Sequence, residues 1–187
     1  MAVTWKQYSG VWTMQSQMQA VSAGTWTGLP LPGLYSWGVN NYGQLGQGNT
    51  TNYSSPKQVG ELTTWSSVSC GENFSISIKT DGTLWSWGRN NFGPLGLNNT
   101  TYYSSPKQVG ALTNWSSVSG GGLHTVSIKT DGTLWSWGNN SLGQLGLGNT
   151  TNYSSPKQVG ALTNWSSVSC GYAHIVSIKT NGTLWSW

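Results

Sequence analysis

The stretch Leu134-Trp135-Ser136-Trp137-Gly138 decides the fold of this chain, because close copies of it recur every 50 residues. The copies are Leu84-Trp85-Ser86-Trp87-Gly88 and Leu34-Tyr35-Ser36-Trp37-Gly38, and another begins at Leu184. A repeat of this kind is one supersecondary unit that must stack on a neighbour to bury its faces. A period near 50 favours propeller blades over helical solenoids. We therefore predict an all-β fold of propeller-type blades.

The repeat divides the chain into two parts. Residues 34–187 form a partial β-propeller, whose copies are 34–83, 84–133 and 134–183, with the start of a fourth at 184. Each copy predicts four antiparallel strands, which we name A, B, C and D from the propeller axis outward. One such set is Trp115–Ser119, Leu123–Lys129, Leu134–Trp137 and Pro156–Val159. The count of strands gives about three and a quarter blades, fewer than a closed ring needs.

Two local signals set the ends of the predicted strands. Thr130-Asp131-Gly132-Thr133 separates strands B and C, and Asp-Gly is a hairpin signal because glycine supplies a positive φ. Pro156 begins the predicted strand D, and proline suits an edge strand because it has no N–H to donate to a ladder. We expect D at the outer edge of each blade.

Residues 1–33 lie outside the repeat, and we interpret them as an anchoring segment followed by a linker. Thr13 can cap a short helix on which Met14, Met18 and Val21 share one face. Three tryptophans flank this helix, and so much apolar surface should dock on another protein or on a blade. The candidate anchor residues are Trp5, Trp12, Met14, Met18, Val21 and Trp26.

Two motifs carry a family resemblance. Trp-Gly-x-Asn-x-x-Gly-Gln-Leu-Gly occurs at Trp37–Gly46 and at Trp137–Gly146, and Cys-Gly-x-x-His-x-x-x-Ile-Lys-Thr-x-Gly occurs at Cys170–Gly182. Over residues 34–187 the chain resembles the regulator of chromosome condensation repeat. The resemblance implies four-stranded propeller blades. The second copy departs from the first motif at Pro94, where the other two copies have glutamine.

Composition limits the partners. Only 6% of residues are charged, against roughly a quarter in ordinary soluble domains, and the net charge of +4 comes from single, dispersed Lys and Arg residues. Nucleic-acid binding needs clustered basic residues, so we expect no nucleic-acid partner. No segment has the length and apolarity of a membrane span, so we expect no membrane insertion. Cys70 and Cys170 occupy equivalent repeat positions, and we expect both to be free, buried thiols.

The residues that usually carry catalysis occur here in patterns typical of structure. The chain has four acids, and Asp131 is replaced by Asn181 in the next copy, which indicates turn residues. His124 and His174 follow a Gly-rich turn with no nucleophile-elbow motif, so we interpret them as bonding to backbone at a blade edge. No phosphate-loop or metal-ligand spacing occurs. We expect no enzyme activity, no cofactor and no metal.

Aromatic residues and divergence between copies point to one surface. Trp85 and Trp87 lie on the same side of strand C, which indicates core packing, with a sugar-binding platform as the alternative. The second and third copies differ mainly in their A–B turns and C–D loops, which lie at the same end of a four-stranded meander. Loops on a rigid scaffold are where recognition usually resides. The candidate binding-loop residues are Arg89, Phe92, Tyr53, Tyr102, Tyr103, Tyr153 and Tyr172.

We carry three functional hypotheses. The first is a non-catalytic structural or binding module of a phage virion, in a tail, a fibre or a capsid decoration. Low charge and near-identical Asn/Thr/Gly-rich repeats favour it, and the leader loosely resembles N-terminal anchoring segments of marine phage structural proteins. The second is a cytoplasmic propeller that binds a small GTPase, as exchange factors of the resembling family do. The third is a propeller that binds a host-surface glycan. In the first, we expect other protein chains, identical copies or virion proteins, to complete the arc.

Overall fold

The computed structural model describes residues 33–187, which contain thirteen strands and, within that range, no helix. The predicted N-terminal helix and the candidate anchor residues lie outside the described residues. The strands are β1 (Tyr35–Gly38), β2 (Tyr53–Gln58), β3 (Trp65–Cys70), β4 (Phe74–Lys79), β5 (Leu84–Gly88), β6 (Tyr103–Gln108), β7 (Trp115–Gly120), β8 (His124–Lys129), β9 (Leu134–Gly138), β10 (Tyr153–Gln158), β11 (Trp165–Cys170), β12 (Ile175–Lys179) and β13 (Leu184–Ser186).

The strands form antiparallel sheets in chain order. Two sheets are complete four-stranded meanders, β3-β4-β5-β6 and β7-β8-β9-β10, and they are flanked by the pair β1-β2 and the three-stranded sheet β11-β12-β13. Strand β7 contacts both β3 and β11, so the first strands of these three sheets lie next to one another. The predicted A-to-D order of a propeller blade is confirmed.

The sequence repeat and the blade are out of phase. The complete blades run over residues 65–108 and 115–158, whereas a sequence copy that starts at Leu84 starts at strand C. That copy supplies strands C and D of one blade and strands A and B of the next. Each 50-residue copy therefore connects two blades covalently.

The turn between strands B and C has the predicted geometry. Gly132 has φ of 75°, and its N–H donates to the Lys129 carbonyl over 2.9 Å. A Cβ at Gly132 would lie only 2.1 Å from the Thr163 carbonyl oxygen, in the connection that leads to the next blade. Glycine is therefore required here twice, for its backbone conformation and for the close approach of the neighbouring chain segment.

Strand D is longer than predicted. It begins at Tyr153, and Pro156 lies inside it, in an irregular stretch between Tyr153 and Lys157 where the pairing with β9 shifts. The predicted start at Pro156 was wrong. An edge strand accommodates the proline, because backbone groups on the outer side of an edge strand have no ladder partner and a missing N–H there costs no bond.

Tryptophans of strand C fill the space between blades. Trp137 is fully buried, and its Nε1–H donates to the Pro94 carbonyl of the preceding blade over 2.8 Å. Its ring packs edge-on against Trp115, with centroids 5.9 Å apart. Trp87 makes the equivalent bond to the Gln44 carbonyl, over 2.9 Å. The prediction of core packing is confirmed for Trp87, whereas Trp85 is only half-buried.

Neighbouring inner strands are joined through serine hydroxyls. The Gly120 N–H donates to Ser69 Oγ, and the Cys170 N–H donates to Ser119 Oγ, each over 3.0 Å. Both cysteines are free, as predicted. The prediction that both are buried was wrong, because Cys70 is exposed and Cys170 is half-buried.

Candidate recognition surface on the variable rim

The A–B turns and C–D loops meet at one end of each blade, and we call this end the variable rim. The Arg89 N–H donates to the Asn73 carbonyl over 2.9 Å, which joins the loop after β5 to the turn before β4. The next blade has the same bond, from the Asn139 N–H to the Leu123 carbonyl, over 2.9 Å. The divergent segments of the sequence therefore form one surface.

The three C–D loops, residues 39–52, 89–102 and 139–152, share a buried asparagine that fixes their shape. Asn140 Oδ1 accepts from the Leu145 N–H over 2.9 Å, and its Nδ2 donates to the Asn149 carbonyl over 2.8 Å. Asn40 and Asn90 make the same two bonds in their loops. Because these side chains replace a regular backbone ladder, the loop shape persists while outward residues change.

The third loop also satisfies its outer polar groups internally. Gln144 Nε2 donates to Asn139 Oδ1 over 2.6 Å, and Gln144 Oε1 accepts from the Leu142 N–H over 2.9 Å. Asn152 Oδ1 accepts from the Asn140 N–H over 2.7 Å. The first loop makes the last two of these bonds at equivalent positions.

The second loop has lost these bonds. Arg89, Pro94 and Tyr102 stand where the third loop has Asn139, Gln144 and Asn152. Arginine has no acceptor, proline has no polar side-chain atom, and a tyrosine ring offers no carbonyl to the backbone. Arg89 and Tyr102 are the first and last residues of their loop.

A cation and two aromatic rings meet across two blades at this point. The Arg89 guanidinium carbon lies 5.1 Å from the centre of the Tyr42 ring. The Tyr42 and Tyr102 ring centroids are 5.9 Å apart, with an interplanar angle of 72°. Tyr102 is 44% exposed, and the buried Arg89 Nε makes no hydrogen bond to a described residue. We call Tyr42, Arg89 and Tyr102 the rim cluster.

The A–B turns contribute a second exposed tyrosine. Tyr172 is 69% exposed, and its hydroxyl donates to Glu72 Oε2, 100 residues earlier in the chain, over 3.4 Å. Its carbonyl accepts from the Gly122 N–H of the middle turn over 3.0 Å. A Cβ at Gly122 would lie 2.9 Å from the Tyr172 ring. Three turns therefore meet beneath this tyrosine.

The other candidate residues lie in different settings. Tyr53, Tyr103 and Tyr153 were predicted to lie in the long loop, and that placement was wrong, because each begins a D strand. The hydroxyl of each accepts from an asparagine Nδ2, at 3.1 to 3.4 Å, and a lysine lies over each ring. Phe92 is half-buried. Their part in binding stays a prediction.

Sequence reasoning missed Tyr42. The signal was present, because the equivalent positions carry Phe92 and Leu142, and Leu142 is 76% exposed. A comparison of only the second and third copies does not include the first loop. The contact with Arg89 crosses a blade junction, which a reading within single repeats does not reveal.

The two histidines differ in environment although they are equivalent in sequence. His124 is fully buried, with its ring over Gly121, and neither ring nitrogen bonds to a described residue. The prediction of a backbone bond for His124 was therefore wrong. Burial, with a smaller effect of His174, lowers the pKa of His124 to about 4. Phe74 fills the same place in the first copy, over Gly71, which indicates a packing role.

Residues 33–187 contain neither a metal-ligand cluster nor a membrane-spanning helix. No three His, Cys, Asp or Glu side chains of this range are grouped as metal ligands would be. No helix among these residues has the length and apolarity needed to cross a membrane.

A family model described as the regulator of chromosome condensation (RCC1) repeat matches residues 33–78, 81–128 and 131–178, which is most of the chain. A second model with the same description matches residues 65–93 and 115–144. The chain belongs to this repeat family. No curated protein sequence is significantly similar to this RCC1-repeat chain.

Three solved structures have the same fold. Human WBSCR16 is 22% identical with a TM-score of 0.71, over 83% of this chain and 42% of its own. Yeast RCC1 (Prp20) bound to Kap60 is 24% identical with a TM-score of 0.69, over 82% and 39%. Prp20p from Saccharomyces cerevisiae, described with its binding to Gsp1p and histones, is 25% identical with a TM-score of 0.68, over 76% and 38%. The chain thus spans about two fifths of the length of these structures.

Proposed function

We propose that the chain is a non-catalytic protein-recognition module that contacts its partner through the variable rim. The observation that carries this proposal is the rim cluster. Three substitutions in the second loop remove internal hydrogen bonds, and two of them place Arg89 and Tyr102 near the Tyr42 ring. Tyrosine and arginine are enriched among the residues that dominate protein interfaces. The RCC1-repeat family and the protein partners named for Prp20 support a protein ligand.

The partner can be found by crosslinking from the two ends of the propeller. A photoreactive residue would replace the exposed Leu142 on the variable rim in one variant, and the half-exposed Leu112 at the opposite end in the other. We expect the same protein to crosslink strongly from position 142 and weakly from position 112. Equal capture from both positions would argue against a rim-specific partner.

Affinity for the identified partner then tests the rim cluster itself. Arg89→Asn and Tyr102→Asn restore residues that the third loop carries, so both variants should fold. We expect each to weaken binding about tenfold or more, as loss of an interface anchor does. Leu112→Ala is the matched control and should leave affinity unchanged. Unchanged binding by both asparagine variants would contradict the proposal.

We propose that the protein is part of a phage virion, as a tail, fibre or capsid-decorating component that is anchored through residues 1–33. Support comes from the 6% of charged residues, the near-identical repeats and the loose resemblance of the leader. The test is mass spectrometry of purified particles. Co-sedimentation of the chain with capsid or tail proteins would support this setting. Recovery of the chain in the soluble cell fraction alone would contradict it.

The alternative is a cytoplasmic propeller that binds a small GTPase. It is favoured by the structure of Prp20p, which is 25% identical and described as binding Gsp1p. The test is release of fluorescent GDP from Gsp1 on addition of the chain. Accelerated release would favour this alternative, and an unchanged rate would leave the virion proposal in place.

A further inference from the structure

Two recesses of the same design lie at the blade junctions, away from the loop ends that form the rim cluster. The first has a volume of about 360 Å³ and is lined by Trp65, Lys79 and Trp85 together with Gly46, Val59 and Ser105. The second, of about 370 Å³, is lined by the equivalent Trp115, Lys129 and Trp135 with Gly96, Val109 and Ser155. Both volumes fall in the range of small-molecule sites.

Each recess contains a lysine without a counter-ion at bonding distance. Lys79 and Lys129 are each only 7% exposed, and neither ammonium group makes a hydrogen bond or ion pair with another residue of the described range. The Lys79 Nζ lies 3.6 Å from the centre of the Trp85 ring and 4.9 Å from that of Trp65. The Lys129 Nζ lies at 3.7 and 4.9 Å from Trp135 and Trp115.

One oxygen of the nearby carboxylate is bonded within its own turn. Asp131 Oδ1 accepts from the Thr133 N–H over 3.0 Å and from Thr133 Oγ1 over 2.6 Å. Burial lowers the pKa of Lys129, and Asp131 opposes that shift only in part. An ammonium group has three donors, and the contacts of Lys129 with the two tryptophan rings supply no oxygen acceptor for them. The lysine of each recess is therefore set to receive an anionic group.

The walls restrict the rest of the ligand. Tryptophan rings and a valine offer flat apolar surface, while a serine lines each recess as a neutral polar residue. A pyranose with a carboxylate matches this combination, because its C–H face packs on an indole and its carboxylate accepts a charge-assisted bond from lysine. We propose that the blade junctions bind acidic sugars, one to each recess. Because the recess recurs in successive junctions, a polymer of such sugars would bind with added avidity.

The experiment uses the full chain with glucuronate as the probe and glucose as the neutral match. Saturation-transfer NMR on the unaltered protein should show transfer from indole protons to the glucuronate ring. Glucose should bind at least about tenfold more weakly, the equivalent of one charge-assisted hydrogen bond. Equal binding of the two sugars, or no saturable binding at millimolar concentration, would overturn the proposal. Competition by acetate with the same affinity as glucuronate would also overturn it, since the site would then bind an anion alone.

Lysine variants assign the binding to the recesses. Lys79→Gln and Lys129→Gln should each remove one of the two sites, and the double variant should abolish binding. Lys107→Gln is the matched control, because this exposed lysine lies over Tyr103 and lines neither recess. If a glutamine variant fails to fold, Lys129→Arg keeps the charge and should keep the site. Unchanged binding in a folded double variant would overturn the proposal. These outcomes do not depend on the rim cluster, so either proposal can fail alone.

Discussion

The two ends of the blades differ in how much their side chains vary between copies. At the end that carries the B–C turns, three lysines repeat one geometry. The Nζ atoms of Lys79, Lys129 and Lys179 lie 3.6, 3.7 and 3.8 Å from the ring centres of Trp85, Trp135 and Trp185. At the variable rim, side chains differ from copy to copy while the buried asparagine bonds stay the same. The comparison shows that a loop held by a few internal side-chain bonds can change its surface without changing its shape.

The largest expected effect lies in the repeated packing between blades. Trp137→Ala should lower the free energy of unfolding by about 3–5 kcal/mol, because it leaves a cavity at a junction and strands a carbonyl acceptor. Denaturant melts followed by far-UV circular dichroism would measure it. Trp37→Ala is the matched control, since Trp37 is 58% exposed, and should cost under about 1 kcal/mol. Similar losses in both variants would contradict the assignment of burial.

The next largest effect is a pH dependence of stability that we expect from His124 but not from the equivalent His174. The pKa of His124 is lowered from 6.5 to about 4, so between these values the unfolded chain takes up a proton that the folded chain does not. Stability should therefore fall as the pH is lowered from 6.5 to 4, by at most about 3 kcal/mol. Urea melts across this range would measure it.

His124→Phe, which copies Phe74, should flatten this pH dependence. His174→Phe serves as the control, because His174 is exposed. If both substitutions change the pH profile equally, the burial of His124 is not its cause.

A smaller effect should distinguish two glycines with similar backbone angles. Gly132 and Gly182 have φ of 75° and 82°, but only Gly132 has a carbonyl oxygen where a Cβ would be placed. Gly182→Ala should cost about 1 kcal/mol from the positive φ, and Gly132→Ala should cost about 1 kcal/mol more. Chemical denaturation of the two variants gives the difference. Equal costs would mean that the neighbouring connection can move away freely.

The smallest effect is expected at the rim cluster. Tyr102→Asn should change the free energy of unfolding by less than about 0.5 kcal/mol, because the ring is 44% exposed and asparagine occupies this position in the other loops. Thermal melts of the variant would measure it. A large loss of stability would show that Tyr102 supports the blade junction rather than the surface.

The blade could be predicted from sequence because its signals are local and repeated. An Asp-Gly or Asn-Gly turn before strand C and the alternation of strand C recur from copy to copy, so each copy reinforces the others. The start of strand D at Tyr153 could not, since Tyr-Ser-Ser shows no clear apolar alternation beside an Asn/Thr-rich loop. The burial of His124 and the contact of Tyr42 with Arg89 depend on packing between copies, which no single repeat encodes.

The offset between sequence copy and blade has a consequence for how such a gene can grow. A duplication that inserts one 50-residue unit between two others adds strands C and D to the blade before it and strands A and B to the blade after it. Every new junction then reproduces one that already exists, with the same tryptophan and the same serine hydroxyl bond. Recombination can thus alter the number of blades without having to create a compatible interface, and selection can act afterwards on the loops alone.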